Sequence, residues 1–224
     1  ESFKSISYLY FEYHLQGVNH DNRFNVTIDE IDVSPVQIQG PKSLALMKDL
    51  IGDQVDLDNI PFYGLAAAKV GGRDCIISQS GFSGEAGYEI YLRDSTLYAD
   101  DMWNAVLEAG KKHNLMVIAP AHHRRIQAGI LSWGQDMDNQ HNPFQCNLGY
   151  QVSLSGKGEW NKTADYVGKN VLEKMRDELR AGNKPYQLQL VGLSLGGKPI
   201  EEYAPDFWLI SEDGKDPCGF ITSP

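Results

Sequence analysis

Three closely spaced glycines, Gly81, Gly84 and Gly87, run straight into an alternating apolar segment, and this feature constrains the fold more than any other in the chain. The stretch from Ser80 to Leu92 reads SGFSGEAGYEIYL. Glycine reaches left-handed backbone without a Cβ penalty, so the first half predicts a looping turn that a ligand can approach closely. In an extended chain successive side chains point to opposite faces. Tyr88, Ile90 and Leu92 therefore share one face, and Glu89 and Tyr91 the other. A strand of that kind belongs to a sheet with one face covered and one face open. The chain carries amphipathic helices as well as such strands, so the fold class expected is α+β.

The rest of the chain supplies both kinds of element. Asn25 to Ile31 and Ser34 to Gln39 alternate in the strand manner. Gly40-Pro41 punctuates the chain, and Pro41 suits the first turn of a helix with Leu44, Leu46, Met47, Leu50 and Ile51 as its apolar stripe, stopped by Gly52. Ala66 to Val70 and Asp74 to Ser78 read as a hairpin across Gly71-Gly72. Asp94-Ser95 predicts the cap of a helix from about residue 96 to 109, ended by Gly110. Pro120 opens a further helix carrying Ile126, Ala128, Ile130 and Leu131, with Gly134 at its C-terminus. Val167 to Leu179 is an amphipathic helix. Gln187 to Leu195, Pro205 to Ser211 and Gly219 to Thr222 read as short strands. Residues 5–18 fit either a helix or a strand. The composition shift after Gly149 predicts a second, β-rich region, giving residues 1–150 as one domain, 151–185 as a connecting segment with a helix, and 186–224 as the start of another domain.

Charge and cysteine usage narrow the chemistry. The chain has 224 residues and a net charge of −10, which argues against a nucleic-acid partner, because phosphate binding draws on clustered Lys and Arg. Cys75, Cys146 and Cys218 are far apart and show neither a disulfide framework nor metal-ligand spacing, so no metal is expected and the expected setting is cytoplasmic. No apolar run reaches the length of a membrane span. The N-terminus lacks an initiator Met, and the chain stops after strand-like Ile221-Thr222, so both ends are expected to be cut.

Two local patterns admit chemistry. A carboxylate beside an aromatic on the open face of a strand, as at Glu89 and Tyr91, can read a flat heterocycle with adjacent N–H donors. The same pattern is also what a hairpin loop with solvated Glu85 and Glu89 looks like. The run His122-His123-Arg124-Arg125 lacks the i, i+4 spacing of helical zinc ligands. It reads either as a solvated basic helix start or as a contact for an anionic substrate tail. Trp133 reads as core or as pocket wall. No serine-hydrolase elbow surrounds Ser80, Ser83 or Ser132, and no carboxylate pairing suggests a glycosidase.

Four segments, in order, resemble the aminomethyltransferase family of the glycine-cleavage T-protein. Val36 to Lys42 (VQIQGPK) is similar to its "LQGP" segment, and Ser80 to Leu92 to its G-[YF]-[ST]-G-E-x-G-[FY]-E-I signature. Arg125 to Met137 (RIQAGILSWGQDM) is similar to its "RLEAGL-x-x-YG-x-D" helix, and Val191 to Pro224 to the start of its C-terminal β-barrel domain, including a "G-x-[IV]-T-S" strand. The resemblance implies the aminomethyltransferase folate-binding fold, with tetrahydrofolate as acceptor of a one-carbon group. It implies that Glu89 binds the pterin and that Phe82 lines the folate pocket, with Tyr91, Trp133, Phe62 and Tyr63 as further pocket candidates. An arginine that contacts folate in the T-protein falls on Ala121 here, which points to the demethylase branch and a small-molecule O- or S-methyl donor. Aminomethyl transfer from a lipoyl carrier protein and a non-catalytic folate-binding relative are the alternatives. The family's aspartate near the reactive folate nitrogen belongs to a segment expected before Glu1, so the resemblance assigns no catalytic residue.

Overall fold

The computed structural model describes residues 13, 16–17, 19, 24–27, 31–119, 121–154, 163–194, 196–198 and 209–223. Its contacts divide the chain into two compact units, Glu1–Ala119 and Pro120–Pro224.

In the first unit the expected α+β layering is present. Strand β1 (Val33–Gln39) leads into helix α1 (Ser43–Ile51), followed by β2 (Leu65–Val70), β3 (Arg73–Ser78), β4 (Gly87–Arg93) and helix α2 (Ser95–Gly110). The strands form one antiparallel sheet in the order β1-β4-β3-β2. Pro35 has no N–H to give to a ladder, which suits β1 to its position at the sheet edge. One face of the sheet, with Ile38, Ile77, Tyr88, Ile90 and Leu92, is buried against Leu46, Met47 and Ile51 of α1 and Met102 and Val106 of α2. The alternation read from Tyr88 to Leu92 is therefore the in–out pattern of the structure: Glu89 and Tyr91 point away from this core and are only partly buried.

Several local expectations take a different physical form. Helix α2 is not capped by Asp94, whose backbone is left-handed (φ 52°) and whose side chain makes no cap bond. Asp32 takes that role from a distance, accepting from the Thr96 amide at 3.1 and 3.2 Å and from Ser95 Oγ at 2.6 Å. Helix α2 ends at Gly110 as expected, but not through a left-handed glycine cap, because Gly110 keeps helical backbone (φ −67°). The chain tightens into a 3₁₀ turn, Lys111–His113, and turns at left-handed Asn114 (φ 57°). Gly110 is required instead by packing, since a Cβ there would lie 2.4 Å from Leu115 Cδ2. At the hairpin tip Gly71 and Gly72 have φ of 58° and 79°, as a tight β2–β3 turn demands. Arg73 ties that tip to α2, with an ion pair to Asp101 at 2.7 Å and its guanidinium 3.8 Å from the Tyr98 ring centre.

The second unit contains α3 (His122–Gln127), α4 (Lys169–Arg180), and the short pair β5 (Leu209–Ser211) and β6 (Pro217–Phe220). Helix α3 is shorter than its apolar periodicity implied. Gly129 (φ 70°) ends it, so Ile130 and Leu131 lie beyond it and Gly134 (φ 84°) belongs to a separate turn. Residues 188–194 form no strand, although the Leu190 amide donates to the Gln145 carbonyl at 2.8 Å. Residues 25–27 and 31 likewise lie outside any strand, while residues 28–30 and most of 5–18 are outside the described set. Among the described residues the C-terminal region holds one two-stranded sheet.

Candidate functional site

The β1–β4 register places Gln37 opposite Glu89, and the β3–β4 register places Ser78 on its other side. Glu89 thus stands on the open sheet face, flanked on both neighbouring strands by uncharged polar side chains. Its Oε2 accepts from Tyr91 Oη at 3.0 Å and from Ser80 Oγ in a short contact. Its Oε1 accepts from Gln37 Nε2 at 2.9 Å. Ser78 and Ser80, both buried, have their hydroxyl oxygens 2.9 Å apart. Ser80 has one proton, and it goes to the carboxylate, so Ser78 donates to Ser80. No Lys or Arg is hydrogen-bonded to Glu89 among the described residues. Burial, the hydrogen bond to Glu89 and the charge of that carboxylate together push the Tyr91 phenol above its ordinary value, so Tyr91 remains a donor at neutral pH.

The glycine loop is held chiefly by the Gln39 side chain. Gln39 Nε2 donates to the Ser80 carbonyl at 3.1 Å, and Gln39 Oε1 accepts from Ser83 Oγ at 2.7 Å. The Gly40 amide and Ser43 Oγ both donate to the Ala86 carbonyl, at 2.8 and 3.0 Å. A Cβ at Gly81 would sit 2.1 Å from Gln39 Oε1, and one at Gly87 would sit 2.3 Å from Gln39 Nε2. This corrects the sequence expectation that all three glycines serve turn conformation and ligand approach: only Gly84 has positive φ (75°), and the outer two make room for the Gln39 amide. The two signature segments thus form one clamp, in which the β1–α1 corner grips the loop before β4.

Phe62 and Tyr63 stand next to this region. Their rings are 4.2 Å apart, and both are largely exposed, at 67% and 72%. Tyr63 has φ 62°, an uncommon conformation for a bulky residue. It is held there by its amide donating to the Gln79 carbonyl at 2.9 Å, while the Gln79 amide donates to the Gly64 carbonyl at 3.2 Å. The aromatic pair is therefore fixed to the residue preceding Ser80. Phe82 is on the loop itself and exposed. The structure brings Glu89 and Tyr91 into direct contact and joins Phe62 and Tyr63 to the neighbouring backbone.

Trp133 belongs to the second unit, on a turn built around a buried ion pair. Arg125 is 1% exposed and Asp136 4%. Arg125 Nη1 reaches Asp136 Oδ2 at 2.7 Å and the Ile130 carbonyl at 3.1 Å, and Nη2 reaches Gln135 Oε1 and Ser223 Oγ, both at 2.8 Å. Asp136 also accepts from the Ser132 amide at 2.8 Å, Thr222 Oγ1 at 2.7 Å and Ser223 Oγ at 2.5 Å. Burial pushes the Asp136 carboxyl up, but Ser223, the Ser132 amide, Thr222 and the Arg125 charge outweigh it and hold the group below its ordinary value. Trp133 projects from this turn 62% exposed. Arg125 is thus neither a solvated basic residue nor an open anion contact, whereas His122, His123 and Arg124 are exposed.

Sequence reasoning missed Gln37, Ser78 and Ser80 beside Glu89, and Asp136, Thr222 and Ser223 around Arg125. The first group was within reach: pairing Ser34–Gln39 with the strand after the glycine loop puts Gln37 and Glu89 on one face. The second depends on chain segments far apart in sequence, and no local pattern marks it.

Residues 4–156 match the GCVT N-terminal domain family. The chain belongs to this family. It is 33% identical over 201 residues to the dimethylsulfoniopropionate demethylase DmdA of Ruegeria pomeroyi, covering 89% of this chain and 50% of that protein. It is 28% identical over 207 residues to an aminomethyltransferase of Halothermothrix orenii, covering 92% of this chain and 52% of that protein. An aminomethyltransferase of Chloroherpeton thalassium is 31% identical over 171 residues, covering 75% of this chain and 42% of that protein. The chain therefore spans about half the length of these curated relatives. Among the described residues no group of His, Cys, Asp and Glu is placed to hold a metal, and no helix is long and apolar enough to cross a membrane.

Proposed function

We propose that this chain is the folate-binding part of a tetrahydrofolate-dependent one-carbon transferase in which Glu89 orients the pterin. The observation that carries the reading is a carboxylate on an open sheet face, fixed by neutral donors only. Ser80 and Tyr91 fill the lone pairs of Oε2 and Gln37 takes one on Oε1, so an acceptor position remains on Oε1. A negative acceptor prepared in this way suits a heterocycle rich in N–H donors, and the donor set fits a pterin. When bound, tetrahydrofolate supplies a nucleophilic ring nitrogen that accepts carbon. The chain's own part is positioning: Glu89 fixes the ring edge, and the aromatics Phe62, Tyr63 and Phe82, and separately Trp133, are candidates for the pocket wall on the family resemblance alone. Residues 1–150 then form the folate-binding domain, 151–185 connect, and 186–224 begin a C-terminal barrel.

Within that class we assign demethylation, the transfer of a methyl group from a small O- or S-methyl donor to tetrahydrofolate. Ala121, standing where the T-protein has a folate-contacting arginine, supports it, as does the match to a dimethylsulfoniopropionate demethylase. Aminomethyl transfer has comparable support from the aminomethyltransferase relatives. Isothermal titration with tetrahydrofolate tests the shared reading: binding is expected, and Glu89→Ala should abolish most of it. Unchanged affinity in that variant would overturn the role of Glu89. Product analysis separates the two reactions, with methyltetrahydrofolate expected for demethylation, and methylenetetrahydrofolate plus ammonia for aminomethyl transfer. Binding with neither product would mark a non-catalytic folate binder.

A further inference from the structure

We infer that Gln37 is a specificity-determining residue that, together with Glu89, reads the lactam edge of a reduced pterin; this rests on the folate reading above. Gln37 lies directly across from Glu89 in the β1–β4 ladder, on the exposed face, where cross-strand side chains meet. Its Nε2 donates one N–H to Glu89 Oε1 at 2.9 Å. That bond fixes which end of the amide faces the carboxylate, because the reverse orientation would set the Gln37 carbonyl oxygen against a negative oxygen. The second Nε2 proton has no partner among the described residues. Glu89 Oε2 is already filled by Ser80 and Tyr91, whereas Oε1 keeps one lone pair. The pair thus presents an N–H donor beside a carboxylate acceptor.

The complement of a donor next to an acceptor is a carbonyl next to an N–H. A pterin carries these as its 4-oxo group and adjacent N3–H. In this pairing the 4-oxo oxygen accepts from Gln37 and N3–H donates to Glu89 Oε1. A 4-amino ring reverses the edge: its amino group meets the Gln37 donor, and its N3 lone pair meets the carboxylate. A site with paired polar groups rejects an analogue that leaves them unmatched far more strongly than an apolar site does. Ser78, Ser80 and Tyr91 act through Glu89, holding Oε2 so that Oε1 faces the ligand. Gln37 is the member of the group that touches the 4-position itself.

The test is titration of the full chain with tetrahydrofolate and with its 4-amino-4-deoxy counterpart, for the parent and for Gln37→Leu. Gln37 is exposed on an edge strand, where Leu is tolerated, and the thermal midpoint of the variant checks that it folds. The parent should prefer the 4-oxo ligand. In Gln37→Leu the Kd for tetrahydrofolate should rise by about tenfold, the worth of one hydrogen bond, while the Kd for the 4-amino compound changes by less than about twofold. Equal weakening of both ligands, or of neither, would overturn the role of Gln37 and leave the folate reading standing. Failure of the parent to bind either ligand would remove the folate reading and this inference with it.

Discussion

Replacing Asp136 with Asn should unlock the second unit. All four acceptor positions of the Asp136 carboxylate are taken, two by Arg125 and the Ser132 amide, and two by Thr222 and Ser223. An Asn side chain offers one oxygen and one NH₂: with the NH₂ toward Arg125 and the Ser132 amide, donors face a donor, and with it toward Thr222 and Ser223, both hydroxyls must turn from donating to accepting. Arg125 stays buried and loses its counter-ion. Breaking one side of a buried charge pair costs about 3–5 kcal/mol, a large share of the roughly 5–15 kcal/mol that holds a typical domain. For a chain of this length that corresponds to a fall of roughly 10 °C in Tm. The assay is thermal and urea unfolding of Asp136→Asn, Arg125→Met and the double variant, with amide exchange at Ser132 as a local readout. The double variant should be much less destabilised than the two single losses added together, by about 1–3 kcal/mol, because the stranded charge is gone. A loss below about 1 kcal/mol in Asp136→Asn, or strict additivity, would refute the argument, since either would mean that water or a neighbouring group replaces the carboxylate.

Acid sensitivity follows from the same carboxylate, whose value in the fold lies below the ordinary 3.8. Its contribution is complete above that ordinary value and is lost as the pH falls through the lower folded one, so the urea midpoint of the parent should drop there and that of Asp136→Asn should drop less. At the hairpin tip, Gly71→Ala should be clearly more damaging than Gly72→Ala. Both glycines have positive φ, but a Cβ at Gly71 would lie 2.5 Å from the Asp101 carbonyl oxygen while one at Gly72 meets nothing within 4 Å. Urea unfolding should separate the two by about 1–3 kcal/mol, and equal losses would mean that the α2 backbone yields to the added carbon.

The strands of the first unit were legible because their periodicity is strict and their turns carry glycine. The face assignment at Glu89 came from that alternation alone. Helix ends were harder to read. Asp94 has the right type and place for a cap, yet Asp32, on the approach to β1, supplies the oxygen, and no local window contains that fact. The glycines at 81 and 87 signal looseness in the sequence, while in the fold they record the space taken by Gln39. Arg125 looked solvent-facing because it follows His122, His123 and Arg124, and its burial depends on Asp136 and on a segment nearly a hundred residues later. Polar clusters assembled from distant segments leave no periodic trace.

Because one glutamine amide bridges both ends of the loop between β3 and β4, that loop is not an independently exchangeable part. A transplant that carries new residues between Ser80 and Gly87 must bring a compatible partner at position 39, or the corner and the loop will compete for the same volume. Exposed Phe82 can vary without this conflict, whereas Gly84, with φ 75°, takes no side chain without backbone strain.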